Sequence, residues 1–340
     1  MLRSTAVRPP AAHRVPMGRV VAGQVAWIAL LAALAVQASF AITWGGTLRQ
    51  TVASVCLMAL TAVLHAASVG GWRFALGVGG GVAALGLVAE AVGVATGFPF
   101  GEYAYTGGLG PSVLGVSALV LLAWTTLAYP AWVVARRLVP VRRVPGTGRE
   151  AWWRWVARHL VAAWALTAWD VFLDPQMVDA GNWGWANPEP SLPGTPGIPL
   201  TNYAGWLGVS FAMAVLISAS YTWARRAATP GAGDVGTRAT QWPDAIPYAV
   251  YVWTWLTCVA GNLTFWPRPS VALAGGLAMG AIAVPLLVTL WRGRLRFGPR
   301  DEPAGGSGPR RPDAPRTPSD PRRPDAPRRP SDPRDQDPVP

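Results

Sequence analysis

Two aspartates four residues apart, Asp170 and Asp174, stand in an otherwise apolar stretch immediately before Pro175. That spacing puts both carboxyls on one face of a helix, and Pro175 is expected to end the helix. Glu90 lies in a second apolar stretch, and Glu102 in the loop that follows it. Carboxyls are costly in such surroundings and are functional candidates by default. Gathered from several helices, they could do general acid and base work. The plain alternative is that each one caps a helix or pairs with a loop donor. Asp179 and Glu189 read as solvated loop charges.

Aromatic residues crowd the loops beside these carboxyls. The first loop holds Phe98, Phe100, Tyr103 and Tyr105; the second holds Asn182, Trp183 and Trp185, and Asn202, Tyr203 and Trp206 follow it. Trp169 precedes the aspartate pair. Aromatic belts at a membrane surface account for many of the 19 Trp. They do not account for long, uncharged loops punctuated by Gly and Pro next to two carboxyls, and loops of that length serve as lids or binding elements. Cys56 and Cys258 are isolated thiols in apolar blocks, which makes neither a disulfide framework nor a metal site. His65 and His159 have no partner at ligand spacing and read as structural or interfacial. No metal is expected. A retinal pigment is excluded, since its Schiff base needs a Lys and the chain has none.

The elements that must position these residues are membrane helices. Of 340 residues 51% are hydrophobic and 14% charged, and the apolar residues come in blocks of about twenty. Spans are expected at 20–43, 50–70, 74–96, 112–135, 154–177, 203–224, 245–265 and 270–291, giving an all-α, polytopic helical membrane protein of about eight transmembrane helices. The first block is too long for a cleaved leader and is read as a span. On this reading residues 1–19 form a cytoplasmic segment, 20–292 the transmembrane domain, and 293–340 a disordered tail. In the tail, Arg311-Pro312-Asp313-Ala314-Pro315 returns as Arg323-Pro324-Asp325-Ala326-Pro327. The small-residue runs Gly77 to Gly81 and Gly276 to Gly280 suit close helix packing.

The net charge of +12 comes wholly from Arg, and it falls between the apolar blocks of residues 1–300, because residues 301–340 are charge-balanced. This distribution signals orientation; nucleic acid is not an expected partner. Arg clusters before the first span, around 136–149, at Arg225, Arg226 and Arg238, and after the last span, with Arg73 between the second and third. The loops at 97–111 and 179–202 carry none. Alternation of this kind places both termini in the cytoplasm of a multi-pass cell-membrane protein.

The combination Gly97-Phe98-Pro99-Phe100-Gly101-Glu102-Tyr103-Ala104-Tyr105-Thr106, Ala168-Trp169-Asp170 with Asp174-Pro175, Trp183-Gly184-Trp185, and Gly197-Ile198-Pro199-Leu200-Thr201-Asn202-Tyr203-Ala204-Gly205-Trp206 resembles the carotenoid biosynthesis membrane-protein family. That family includes carotenoid 1,2-hydratases and bisanhydrobacterioruberin hydratases, and the resemblance covers roughly residues 50–290. It implies cofactor-independent addition of water across the terminal alkene of an acyclic carotenoid, giving a tertiary alcohol. Other enzymes of the same isoprenoid pathway are possible partners. The residues fit this chemistry. Low dielectric favours the neutral carboxyl, the form that can protonate an alkene, so Asp170 or Asp174 is the expected acid. A second carboxyl, with Glu90 and Glu102 as further candidates, would position water. Tyr103, Tyr105, Trp169, Trp183, Trp185, Asn202 and Trp206 would bind substrate, their rings stabilising the tertiary cation.

Two other readings stand beside this one. An intramembrane prenyltransferase of the carotenoid elongase kind also uses Asp residues at i, i+4, but it binds Mg-diphosphate and needs two acidic motifs with basic residues nearby. A non-catalytic carotenoid-binding or assembly protein would need the cavity without the acid.

Overall fold

A computed structural model describes residues 16–147, 149–227 and 244–296. The expected tail at 293–340 and most of the N-terminal segment fall mainly outside these residues. The helices are α1 (Met17–Ala38), α2 (Leu48–Gly70), α3 (Trp72–Leu76), α4 (Val82–Thr96), α5 (Ala118–Leu138), α6 (Trp152–Asp179), α7 (Leu200–Arg226), α8 (Ala245–Thr264) and α9 (Pro269–Arg296). A π-helical turn, Gly77–Gly81, joins α3 and α4 into one rod. A Cβ on Gly79 would stand 2.9 Å from the Val63 side chain, so this run serves the close helix approach its composition suggests.

Seven rods are long and apolar enough to cross a membrane, in the spans 17–41, 48–70, 72–96, 118–138, 152–179, 200–226 and 269–293. α8, more polar through Thr254, Thr257 and Asn262, falls short on composition. Its path nevertheless has to cross: α7 ends at the Arg-rich end of the bundle, whereas α9 begins beside the C-terminus of α6, where Arg268 pairs with Asp179. Twenty helical residues reach about 30 Å, enough for that passage.

On α1 the inward face is mostly small residues and the outward face carries large apolar ones. Ala22, Ala26, Ala29 and Ala33 form the buried stripe of α1, while Ile28 and Leu31 point away from it. In lipid no hydrophobic force draws large side chains inward, so close backbone approach over small residues does the packing.

Two boundaries differ from expectation. Residues 112–117, expected as the start of a span, form a hairpin of β2 (Ser112–Val113) and β3 (Val116–Ser117). Its two turn residues, Leu114 and Gly115, have φ of 51° and 81°, the positive pair that a tight two-residue hairpin demands. α6 also does not stop at Pro175 but runs on to Asp179. The proline forfeits one backbone hydrogen bond, which neighbouring helices can compensate, and the last turn is tied down by buried Met177 and by Asp179 pairing with Arg268.

Candidate functional site

At the Arg-poor end the two long loops are stitched together. β1 (Tyr103–Tyr105) and β4 (Trp183–Trp185) pair antiparallel, Tyr103 opposite Trp185 and Tyr105 opposite Trp183. The period-2 rule of a strand makes Tyr-Ala-Tyr and Trp-Gly-Trp throw all four rings to one side. That side faces the bundle, while Ala104 and Gly184 are exposed. Opposed rings lie 5.8 Å (Tyr103, Trp185) and 5.6 Å (Tyr105, Trp183) apart. Trp185 Nε1 donates to the Phe100 carbonyl at 2.9 Å, and the pairing continues through Thr106 N to Asn182 O and Ala186 N to Glu102 O.

Phe100 and its neighbours reach this position because α4 ends at Gly97 in the left-handed conformation (φ 77°), which glycine adopts without steric cost. The chain then folds back over the bundle. Gly205 of α7 leaves room for it, since a Cβ there would meet the Pro99 carbonyl at 2.7 Å.

Beneath the paired loops is a cavity of about 80 Å³, room for a few water-sized or methyl-sized groups. All seven residues expected to bind substrate line it: Tyr103, Tyr105, Trp169, Trp183, Trp185, Asn202 and Trp206. Glu90 and Asp174 also line it. Asp170 is completely buried just behind Asp174. Glu102 is exposed at the rim, where Asn187 Nδ2 approaches it at 3.4 Å, and it does not join the wall.

The three buried carboxyls have different partners. Asn202 Nδ2 donates to Asp170 Oδ2 at 2.8 Å and to Asp174 Oδ2 at 2.5 Å, one hydrogen for each. The other Asp174 oxygen accepts from Trp183 Nε1 at 3.1 Å, and Asp170 Oδ1 meets no donor among the described residues. Glu90 accepts three bonds: Tyr103 Oη at 2.5 Å and Tyr105 Oη at 2.8 Å on Oε2, and Trp124 Nε1 at 3.1 Å on Oε1. Burial, and then the neighbouring Glu90, push both tyrosine hydroxyls well above their ordinary pKa, so they act as fixed donors.

Trp124 was not singled out from the sequence. Its ring stacks on Trp206 with centroids 3.9 Å apart, and together the two form a flat floor to the cavity. A lone Trp in an apolar span carries no signal that separates it from an interfacial one. The lone histidines lie in the helix packing: His65 meets Tyr129 Oη at 2.9 Å, and His159 Nε2 meets Ser218 Oγ at 2.8 Å.

Helical rods long enough to cross a membrane, closed at one end by an aromatic lid over buried carboxyls, define a polytopic membrane protein with a lidded acidic pocket. The profile of the family described as "Carotenoid biosynthesis protein" matches residues 46–283, and the chain belongs to that family. It is also similar to the bisanhydrobacterioruberin hydratase of Haloarcula japonica, 33% identical over 129 residues; the match covers 38% of this chain and 39% of the hydratase. No solved structure matches.

Proposed function

We propose that the protein hydrates the terminal trisubstituted alkene of an acyclic carotenoid end group, with Asp174 as the proton donor. The observation that carries this reading is that Asp174 opens onto an aromatic-walled cavity while hydrogen bonded through Asn202 to a second carboxyl behind it. Two carboxylates held this close by one amide repel each other if both are ionised, so such a pair is a way of storing a proton.

In the proposed reaction the Asp174 proton bonds to the less substituted alkene carbon as the π bond breaks, leaving a tertiary cation between ring faces of Trp169, Trp206 and Trp183. A water oxygen then bonds to the tertiary cationic carbon. Glu90 orients the water: a carboxylate has about four lone-pair sites, three are taken by Tyr103, Tyr105 and Trp124, and one is left for a water hydrogen. The proton released from the water returns to the carboxyl set, and no electrons are gained or lost. Asp170 acts through Asp174 and is a positioning residue. The exposed Glu102 takes no part.

The hydratase name of the similar archaeal protein supports the reaction type. The prenyltransferase reading finds less support. Asp170 and Asp174 spend their facing oxygens on one amide, and among the described residues no third His, Cys, Asp or Glu joins them in a ligand set. The site would work from the outer side of the cell membrane, with both termini cytoplasmic. Purified protein incubated with an acyclic carotenoid in the presence of EDTA should yield a product heavier by one water. A strict Mg²⁺ requirement would favour the prenyltransferase instead.

A further inference from the structure

A second cavity of about 320 Å³ lies between α2, α6 and α8 and the outer end of α1. It shares Thr51, Val55, Trp169, Leu173 and Met177 with the wall of the acid pocket, so one set of side chains borders both spaces. This shared border follows from helix geometry. Trp169, Leu173 and Met177 recur every four residues on α6 and form one stripe, and Asp170 and Asp174, each one residue further on, form the adjacent stripe. A single helix therefore presents an apolar rail beside an acid rail.

Among the described residues, no Asp, Glu, Arg or His lines the larger cavity. Its polar groups are largely spent on each other or on backbone. Trp253 Nε1 donates to Gln37 Oε1 at 2.6 Å, Gln37 Nε2 to Ser54 Oγ at 2.7 Å, and Thr126 and Thr257 donate to carbonyls within their own helices. What it offers an occupant is ring faces and alkyl groups. Met58, on its wall, lies ten residues into α2, about 15 Å down a helix, so the space reaches the middle of the hydrocarbon core. Its volume sits at the lower end of the range for ligand sites, about 300–1,000 Å³, enough for part of a long chain.

We infer that this cavity is the berth of the substrate's isoprenoid chain, which descends from the acid pocket past the shared border of Thr51, Val55, Trp169, Leu173 and Met177 while its far end extends beyond the cavity. The inference rests on the hydration reading for the identity of the chain, but its test reads binding alone. Cys258 stands in the berth wall, and Cys56 lines neither cavity. In full-length Cys56→Ser protein in phospholipid nanodiscs, alkylation of Cys258 by N-ethylmaleimide should slow at least fivefold when an acyclic C40 polyene is added. Thr254→Trp, which fills the berth, should lower bound polyene at least tenfold at an unchanged size-exclusion profile. Alkylation unaffected by saturating polyene would overturn the berth even if hydration occurs. Cys258 blocked in nanodiscs before any polyene is added, but alkylated in lipid-free detergent, would overturn it too, by assigning the space to a lipid acyl chain. Protection by polyene in a protein that forms no hydrated product would sink the hydration reading and leave the berth standing.

Discussion

Asn202 divides the two hydrogens of one amide between Asp170 and Asp174, and this arrangement sets the roles of the three residues. Asn202→Leu is expected to keep the protein in the membrane while lowering turnover on the order of 10²-fold, because the carboxyl pair loses its common donor. Turnover per mole of folded protein is the readout, and a wild-type rate would remove Asn202 from the account. Asp170→Asn should retain measurable activity with an altered pH profile, whereas Asp174→Asn should retain none. Equal loss in both would mean that the position on the cavity wall does not distinguish them. The aspartate pair was legible in the sequence because a carboxyl in an apolar helix has few bland explanations, and its i, i+4 spacing fixes the face. The preference for Asp174 was not, since both residues occupy the same stripe and only the third dimension puts one behind the other. Glu102 shows the same limit from the other side: it adjoins buried Tyr103, yet strand alternation turns it outward.

The lid and the helix under it act as a unit at the scale of elements. Gly205→Val would drive a side chain into the Pro99 carbonyl and the Phe100 ring; overpacking of this kind costs about 1–3 kcal/mol. Lower thermal stability together with loss of hydration is the expected result, and a fully active variant would show that the lid need not rest on α7. At the opposite end Arg158, 6% exposed, forms a two-pronged ion pair with Glu150 at 2.8 and 2.6 Å. The Arg158 guanidinium holds the Glu150 carboxyl below its usual pKa. A folded-state pKa depressed in this way contributes stability above the unfolded value and loses it as pH falls through the folded one. Thermal stability should therefore drop below about pH 4, and the drop should be smaller in Glu150→Gln. The Tyr-Ala-Tyr and Trp-Gly-Trp patterns were on view in the sequence, but both segments read as loops because three residues are too few to signal strands. Their pairing is a contact across 80 residues that neither segment specifies alone. The Leu114-Gly115 turn was missed for a related reason: Ser112 to Ser117 are apolar enough to blend into the span that follows.

Across the whole molecule, Arg-rich and Arg-poor ends alternate as the helices cross, and every group assigned to the chemistry lies at the Arg-poor end. Reporter fusions in the 140–147 loop and the 186–196 loop should report opposite sides of the membrane; the same side for both would break the topology. Hydropathy made the spans legible almost throughout, since blocks of about twenty apolar residues have no other use. α8 was read from its apolar block like the others, although Thr254 and Thr257, which line a cavity, lower its mean hydropathy. The central claim is that Asp174 delivers a solvent-derived proton to an alkene without a metal. Its most direct test is to incubate wild-type and Asp174→Asn protein with an acyclic carotenoid in deuterated water with EDTA and analyse the product by mass spectrometry. The account predicts a tertiary alcohol from the wild type bearing one non-exchangeable deuterium on the carbon next to the hydroxylated one, and unchanged carotenoid from the variant. An alcohol formed equally by Asp174→Asn, or a wild-type product lacking that deuterium, would contradict it.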